Sequence, residues 1–204
     1  PAYNCEDKIE NTAYSIVGQT YKNWEWIICD DMSTDDTAQK AANILRNNGL
    51  IDKLTIKKRK EKYGEVRNTV EEVKFFDPED VVVRLDAGDW LTDLGCLQIL
   101  SEMYEKYDPS VLWTAHRWHF SNHNISGPID ANCSVYKQPW VSSHLKTFRA
   151  SELLSINHKN FLDDDGNYIM IACDQAVFLP MMERARLQNK PLIFLPMIMY
   201  HYDI

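Results

Sequence analysis

Two apolar runs in this chain end in carboxylates. Trp26-Ile27-Ile28-Cys29 runs into Asp30-Asp31, and Val81-Val82-Val83-Arg84-Leu85 runs into Asp86, with Asp89 three positions on. Adjacent carboxylates repel, so a pair at the tip of an apolar strand needs a compensating partner. In open α/β sheets, ligands sit beyond the carboxyl ends of the strands. Asp86 and Asp89 bracket Ala87-Gly88, a spacing that lets both acids face one cation. Oxygen ligands of this kind, together with phosphate oxygens, suit magnesium or manganese. The plainer alternative is a turn in which Asp89 caps the next helix. Two acid-tipped strands therefore suggest one site for a cation, a polyhydroxylated ligand, or both.

Between these strands lies a basic stretch from Lys57 to Asn68, most of which reads as a solvated loop. Arg67 and Asn68 fall in the first turns of a helix near the same sheet edge, where an arginine can grip phosphate oxygens with two parallel bonds. Lys62 is the next candidate. Asp174 stands at a helix start, either as an N-cap or as a working acid. His201 follows an apolar strand, and a histidine beside a metal-phosphate site can act as a ligand. Asp163-Asp164-Asp165-Gly166-Asn167 resembles a calcium-loop fragment but lacks the later glutamate, so a solvated turn is favoured.

The elements that must position these groups follow from periodicity. Helices are expected over residues 6–18, from the Ser33/Asp36 box to Asn47-Asn48-Gly49, over 64–75 and 94–107, and over 174–188 with Pro180 inside. Strands are expected over 24–29, Leu54 to Lys58, 81–85, Val111 to Phe120, within Trp140 to Arg149, and from Leu192 to Tyr200 around Pro196. Residues 121–139 read as loop. The strand–helix alternation up to residue 107 argues for a doubly wound, mainly parallel α/β sheet flanked by helices. The expected division is 1–107 as one half of a single domain and 108–204 as a smaller second half.

The 204 residues carry 22 basic and 30 acidic side chains, a net charge of -8, which argues against a nucleic-acid partner. The five cysteines form no CxxC pair, so free thiols in a reducing, cytoplasmic setting are expected. No apolar run reaches the roughly 18 residues that a membrane span needs.

Taken in order, these pieces resemble glycosyltransferase family 2 enzymes with the GT-A fold. The resemblance is carried by Pro1-Ala2-Tyr3-Asn4, Ser15-x-x-x-Gln19-Thr20-Tyr21 and Glu25-x-Ile27-Ile28-x-Asp30-Asp31-x-Ser33-Thr34-Asp35-x-Thr37. It continues in Arg67-Asn68 and in Arg84-Leu85-Asp86-Ala87-Gly88-Asp89-Trp90-Leu91, and is strongest over residues 1–107. Later, Trp140-x-x-x-His144-x-Lys146-Thr147-Phe148-Arg149 and Cys173-Asp174-Gln175 are similar to the family as well.

The resemblance implies a hexosyl or deoxyhexosyl transfer from a nucleotide sugar, with uridine diphosphate as the usual carrier, to a hydroxyl of a saccharide or glycan, with inversion. It implies that Tyr3 and Asp31 contact the nucleotide, that Lys62 and Arg67 approach the diphosphate, and that Asp86 is the first acid of the family's DXD motif. Asp174 matches the catalytic base. A Mn2+ or Mg2+ cofactor would rest on Asp86, Asp89 and His201. Gly88 departs from the family pattern, which has an acid there. The strand that normally precedes Pro-Ala-Tyr-Asn is not in the sequence, so a longer, multidomain protein is expected. Trp113, His116, Trp118 and Trp140 are candidates for stacking on the acceptor. Two rivals remain. One is a catalytically degenerate sugar-binding module, to which Gly88 lends weight. The other is a sugar-nucleotide pyrophosphorylase, although its Gly-rich basic phosphate loop is missing.

Overall fold

The fold, seen in a computed structural model that describes residues 1–119 and 121–203, opens with α1 (Ile9–Val17), β1 (Trp26–Asp30), α2 (Thr37–Asn47) and β2 (Leu54–Lys58). It continues with α3 (Gly64–Val73), β3 (Val81–Arg84), β4 (Trp90–Leu91), α4 (Cys96–Tyr107) and β5 (Val111–Trp118). The second half supplies β6 (Lys146–Arg149), α5 (Ala150–Leu154), α6 (Cys173–Leu187) and β7 (Leu192–Tyr202). Phe120, the expected last residue of the β5 strand, lies outside the described residues.

The α/β expectation holds. The two longest ladders, β1·β2 and β5·β7, are parallel, whereas β3·β6, β5·β6 and β4·β7 are antiparallel. Strand order in the larger sheet is β3-β6-β5-β7-β4. The two halves read from the sequence therefore share one sheet, since β3 and β4 of the first half pair with β6 and β7 of the second. A cavity of about 620 Å³ separates β1 from β3, walled by Trp26, Ile27, Cys29, Val81, Val83 and Leu85. Residues 1–2 close its carboxyl end. Ala2 N donates to Cys29 O, Asp31 N donates to Ala2 O, and Ala87 N donates to Pro1 O.

Sequence and structure part at a few elements, each for a local reason. Ser33 and Asp36 form no capping box. Instead the Asp35 carboxylate accepts from the Thr37 amide and hydroxyl, and Ser33 Oγ accepts from Asn4 N. These bonds bind the opening loop to the α2 entrance. Helix α5 was hidden because residues 150–154 make little more than one turn, too short for a periodic signal. Pro196 does not end β7. It sits where the β5·β7 register jumps from Thr114↔Leu195 to Ala115↔Ile198, a bulge at which its missing N–H is not needed.

Two large clusters form the core. One packs α3, α5 and α6 against β5 and β6 through Val66, Trp113, Phe148, Phe178 and Met181. The other seats α4 on the opposite side through Leu100, Tyr104, Leu112 and Tyr200. Among the described residues, no helix is long and apolar enough to cross a membrane. All five cysteines are free thiols.

Candidate functional site

Both acid-tipped strands deliver their turns to one place, because residues 1–2 hydrogen-bond to the β1 end and to Ala87 at once. At the β1 end, Asp30 Oδ1 accepts from Ser33 N and so closes its own turn. Asp31 is buried, and its oxygens accept from Tyr63 N at 2.7 Å and Gly64 N at 2.9 Å. The repulsion expected between neighbouring acids is relieved because each faces backbone donors. Asp31 thereby pins the start of α3, where the helix dipole favours an anion.

That pin builds a cationic, aromatic wall. Lys62 Nζ stands 4.0 Å from the ring of exposed Tyr3, and the Arg67 guanidinium lies 3.6 Å over Tyr63. Arg67 also pairs with the exposed Glu61 at 2.8 Å. Gly64 has φ +70°, and a Cβ there would meet Met170 Sδ at 2.5 Å, so only glycine fits the turn. Tyr3, Asp31, Lys62 and Arg67 thus come together as expected from sequence.

At the β3 end, Asp86 is partly exposed, with Arg84 Nη2 at 3.3 Å. Burial pushes its carboxyl up, but Arg84 and neighbouring cations prevail and hold it at about 2. Arg84 also donates to Glu65 Oε1 at 2.5 Å and to Thr69 Oγ1, tying the Asp86 turn to the first turns of α3. Gly88 has φ +106°, which an L side chain rarely adopts, so the turn itself explains the departure from an acid at this position. Thr12 of α1 locks the turn by accepting from Gly88 N and donating to Asp89 O.

The three residues expected to share the cation do not converge. Asp89 is buried, accepting from Tyr200 Oη at 2.5 Å and from Asp203 N at 2.8 Å. Its carboxyl is pushed up to about 6, by burial first and by Asp86 and Asp203 next. Both of its oxygens serve to hold the end of β7. His201 stacks on Trp90 at 3.8 Å. Side chains alternate along a strand. Tyr200 and Tyr202 both pack on His144, and His201 points the other way, toward His119 and Asp203. Asp86 alone of the three stays at the donor turn with a carboxylate to offer.

Asp174 lies in the first turn of α6, but the helix begins at Ala172 with no side-chain cap, so Asp174 is not an N-cap. Its Oδ2 lies 2.6 Å from Lys146 Nζ and 3.7 Å from His144 Nε2. Burial, then Lys146, lowers the His144 imidazole to about 4, so it is neutral at pH 7. Arg84, Lys146 and His144 lie within electrostatic reach of both Asp86 and Asp174, so one group of three basic side chains stands between the two carboxylates.

Sequence reasoning assigned no role to Arg84, Lys146, His144 or Tyr200. Lys146 stands in a mixed stretch, His144-Leu145-Lys146-Thr147-Phe148, which carries no signal of its burial. Of the stacking candidates, Trp113 and His116 are buried in the core, with Trp113 Nε1 donating to Gly127 O and His116 beside Ser126. Trp118 is exposed beside His123 and Tyr202. Trp140 flanks Lys146 at 5.5 Å. Asp163 closes its own turn by accepting from the Asp165 and Asn167 amides, as the solvated-turn reading expects.

Comparison with known proteins adds the following. The model of the family described as "Glycosyl transferase family 2" matches residues 1–171. The Escherichia coli UDP-Glc:alpha-D-GlcNAc-diphosphoundecaprenol beta-1,3-glucosyltransferase WfaP is 67% identical over 36 residues, covering 18% of this chain and 14% of that protein. S. aureus TarS 1–349, solved in complex with UDP, superposes with a TM-score of 0.69 at 20% identity, covering 100% of this chain and 59% of that one. The mannosyltransferase PcManGT from Pyrobaculum calidifontis, solved with GDP-Man and Mn2+, superposes with a TM-score of 0.67 at 15% identity, covering 100% of this chain and 55% of that one. The fold is that of these GT-A enzymes, and the chain spans little more than half the length of each.

Proposed function

The chain belongs to glycosyltransferase family 2, and on that premise we propose that it moves a sugar from a uridine-diphosphate sugar to a saccharide hydroxyl with inversion. The observation that carries this reading is the ion-pair chain in which Arg84 joins Asp86 to Glu65 at the start of α3, the helix that bears Arg67, while Lys146, beside Arg84 on the next strand, takes Asp174. Solved relatives of the same fold hold UDP or GDP-Man, which supports a nucleotide-diphosphate donor.

In this reading Tyr3 stacks on the base and Asp31 fixes the loop that presents Lys62, Tyr63 and Arg67. The two cations face the diphosphate, whose charge grows as it leaves. Asp86, an anionic and partly exposed carboxylate, fits a hard divalent cation; Asp89 is held by Tyr200 and Asp203, and His201 stacks on Trp90. Such an ion, when bound, neutralises the departing diphosphate. The acceptor hydroxyl gives its proton to Asp174, and its oxygen bonds to the anomeric carbon from the face opposite the diphosphate. The bond to the diphosphate oxygen breaks with its electron pair on the leaving group. The five free thiols support a reducing compartment, and we place the protein in the cytoplasm.

Asp174→Asn tests the assignment. Turnover of a UDP-sugar should fall by about 10²-fold or more, the low end of general-base catalysis, while UDP affinity stays unchanged. Near-normal turnover returns Asp174 to a structural role. Wild-type binding of UDP without any turnover would favour the degenerate sugar-binding module instead.

A further inference from the structure

We propose that Lys146 is a positioning residue for the transfer: its buried ammonium holds one oxygen of Asp174 so that the other is presented to the acceptor hydroxyl. This inference rests on the reading of Asp174 as the base.

Lys146 is the first residue of β6 and is 1% exposed. Lysines are almost never buried so completely unless paired, because stripping water from an ammonium costs several kcal/mol. Its neighbours across the sheet are Trp113 on one side and Arg84 on the other, so two cations lie side by side on paired strands. That juxtaposition is tolerable only because Glu65 and Asp86 face Arg84 while Asp174 takes Lys146. The ammonium is hemmed in further by the rings of Phe178 at 5.0 Å and Trp140 at 5.5 Å. Among the described residues, Asp174 is its single ion-pair partner, at 2.6 Å.

Stability alone does not call for this arrangement. A buried ion pair replaced by well-packed apolar residues is often neutral or more stable. A base, however, has to stand within hydrogen-bond reach of the proton it takes, and it has to be ionised. The pair supplies the fixed position, since the buried ammonium lies 2.6 Å from one carboxylate oxygen. Lys146 Nζ meets Oδ2 as an ion pair without hydrogen-bond alignment, and His144 Nε2 stands 3.7 Å from the same oxygen with its ring stacked on Tyr200. Oδ1 accepts no hydrogen bond from the described residues and is the oxygen assigned to the acceptor. The backbone reinforces this aim, since Ala172, two residues earlier, turns the chain into α6 with φ +52°.

The test compares Lys146→Met, which keeps length and drops charge, with Lys146→Arg, which keeps charge and re-aims it. Calorimetry should show UDP affinity unchanged in both. Both should lower kcat by about 10²-fold, the scale of a 1 Å misplacement. The KM for the acceptor should stay near the wild-type value in both, so that the loss falls on kcat. Wild-type kcat in either folded variant overturns the proposal. If Lys146→Met does not fold, the kcat of Lys146→Arg decides alone. A wild type that binds UDP but transfers nothing would sink the base reading instead. The positioning role would fall with it, having no base to position, whereas wild-type kcat in a folded variant overturns the positioning role and leaves the base reading standing.

Discussion

Asp31→Ala should damage the protein more than loss of a ligand contact would. The Asp31 carboxylate is 4% exposed and accepts two backbone amides, Tyr63 N and Gly64 N, at the entrance to α3. Hydrogen bonds to a charged group contribute about 1.5–3 kcal/mol each, and the variant leaves both part-buried donors without this partner. The anion also favours the helix N-terminus, adding roughly 0.3–1 kcal/mol. Together these sum to about 3–7 kcal/mol, and because water can reach the part-buried donors the expected loss lies toward the lower end, on the order of 3 kcal/mol. Asp31→Asn keeps one acceptor oxygen and should lose about half of that. Urea denaturation at constant m-value measures both variants, and calorimetry with UDP follows the consequence for the Lys62–Tyr63–Arg67 wall. A loss under about 1 kcal/mol for Asp31→Ala would refute the pinning argument, since that is the net worth of one ordinary hydrogen bond. Unchanged UDP affinity would show that the wall does not depend on the pin.

Gly64→Ala forces a side chain into φ +70° and against Met170, so it should lower stability by about 1–3 kcal/mol, read as a drop in Tm. Two buried groups should pull the pH dependence of stability in opposite directions. The His144 pKa falls from 6.5 to about 4, so its contribution is present above pH 6.5 and lost as pH drops through 4. The Asp89 pKa rises from 3.8 to about 6, so its contribution is present below pH 3.8 and lost as pH rises through 6. Denaturation of His144→Phe across pH 4–7 should therefore show less acid destabilisation than wild type, and an unchanged slope would count against the burial of that imidazole. Asp86→Asn should abolish the effect of added manganese on UDP affinity, whereas Asp89→Asn should act mainly on stability; calorimetry with and without a chelator checks both.

Residue types and spacing were enough to place most elements of residues 1–107. Apolar runs terminating in acids locate strand ends whatever packs around them, and Leu54 to Lys58 is found at the expected bounds. Tyr3, Asp31, Lys62 and Arg67 meet because they flank consecutive elements of one parallel unit, so chain connectivity brings them together. The same local logic misjudged Asp89 and His201. Spacing of three lets two acids share a cation, but whether they do depends on what approaches from elsewhere. Here Tyr200 and Asp203, more than a hundred residues away in sequence, occupy both Asp89 oxygens.

The sequence by itself determined the α/β class, the acid tips and the identity of the acid at the start of α6, because propensity, periodicity and capping act over a few residues. Only the tertiary structure decided which acids remain available. The antiparallel return of β6 beside β3 sets Lys146 next to Arg84 and under Asp174, and the phase of β7 turns Tyr200 toward His144 and His201 away from it. Strand pairing and strand phase are set by long-range register, and a one-residue slip would exchange the two faces.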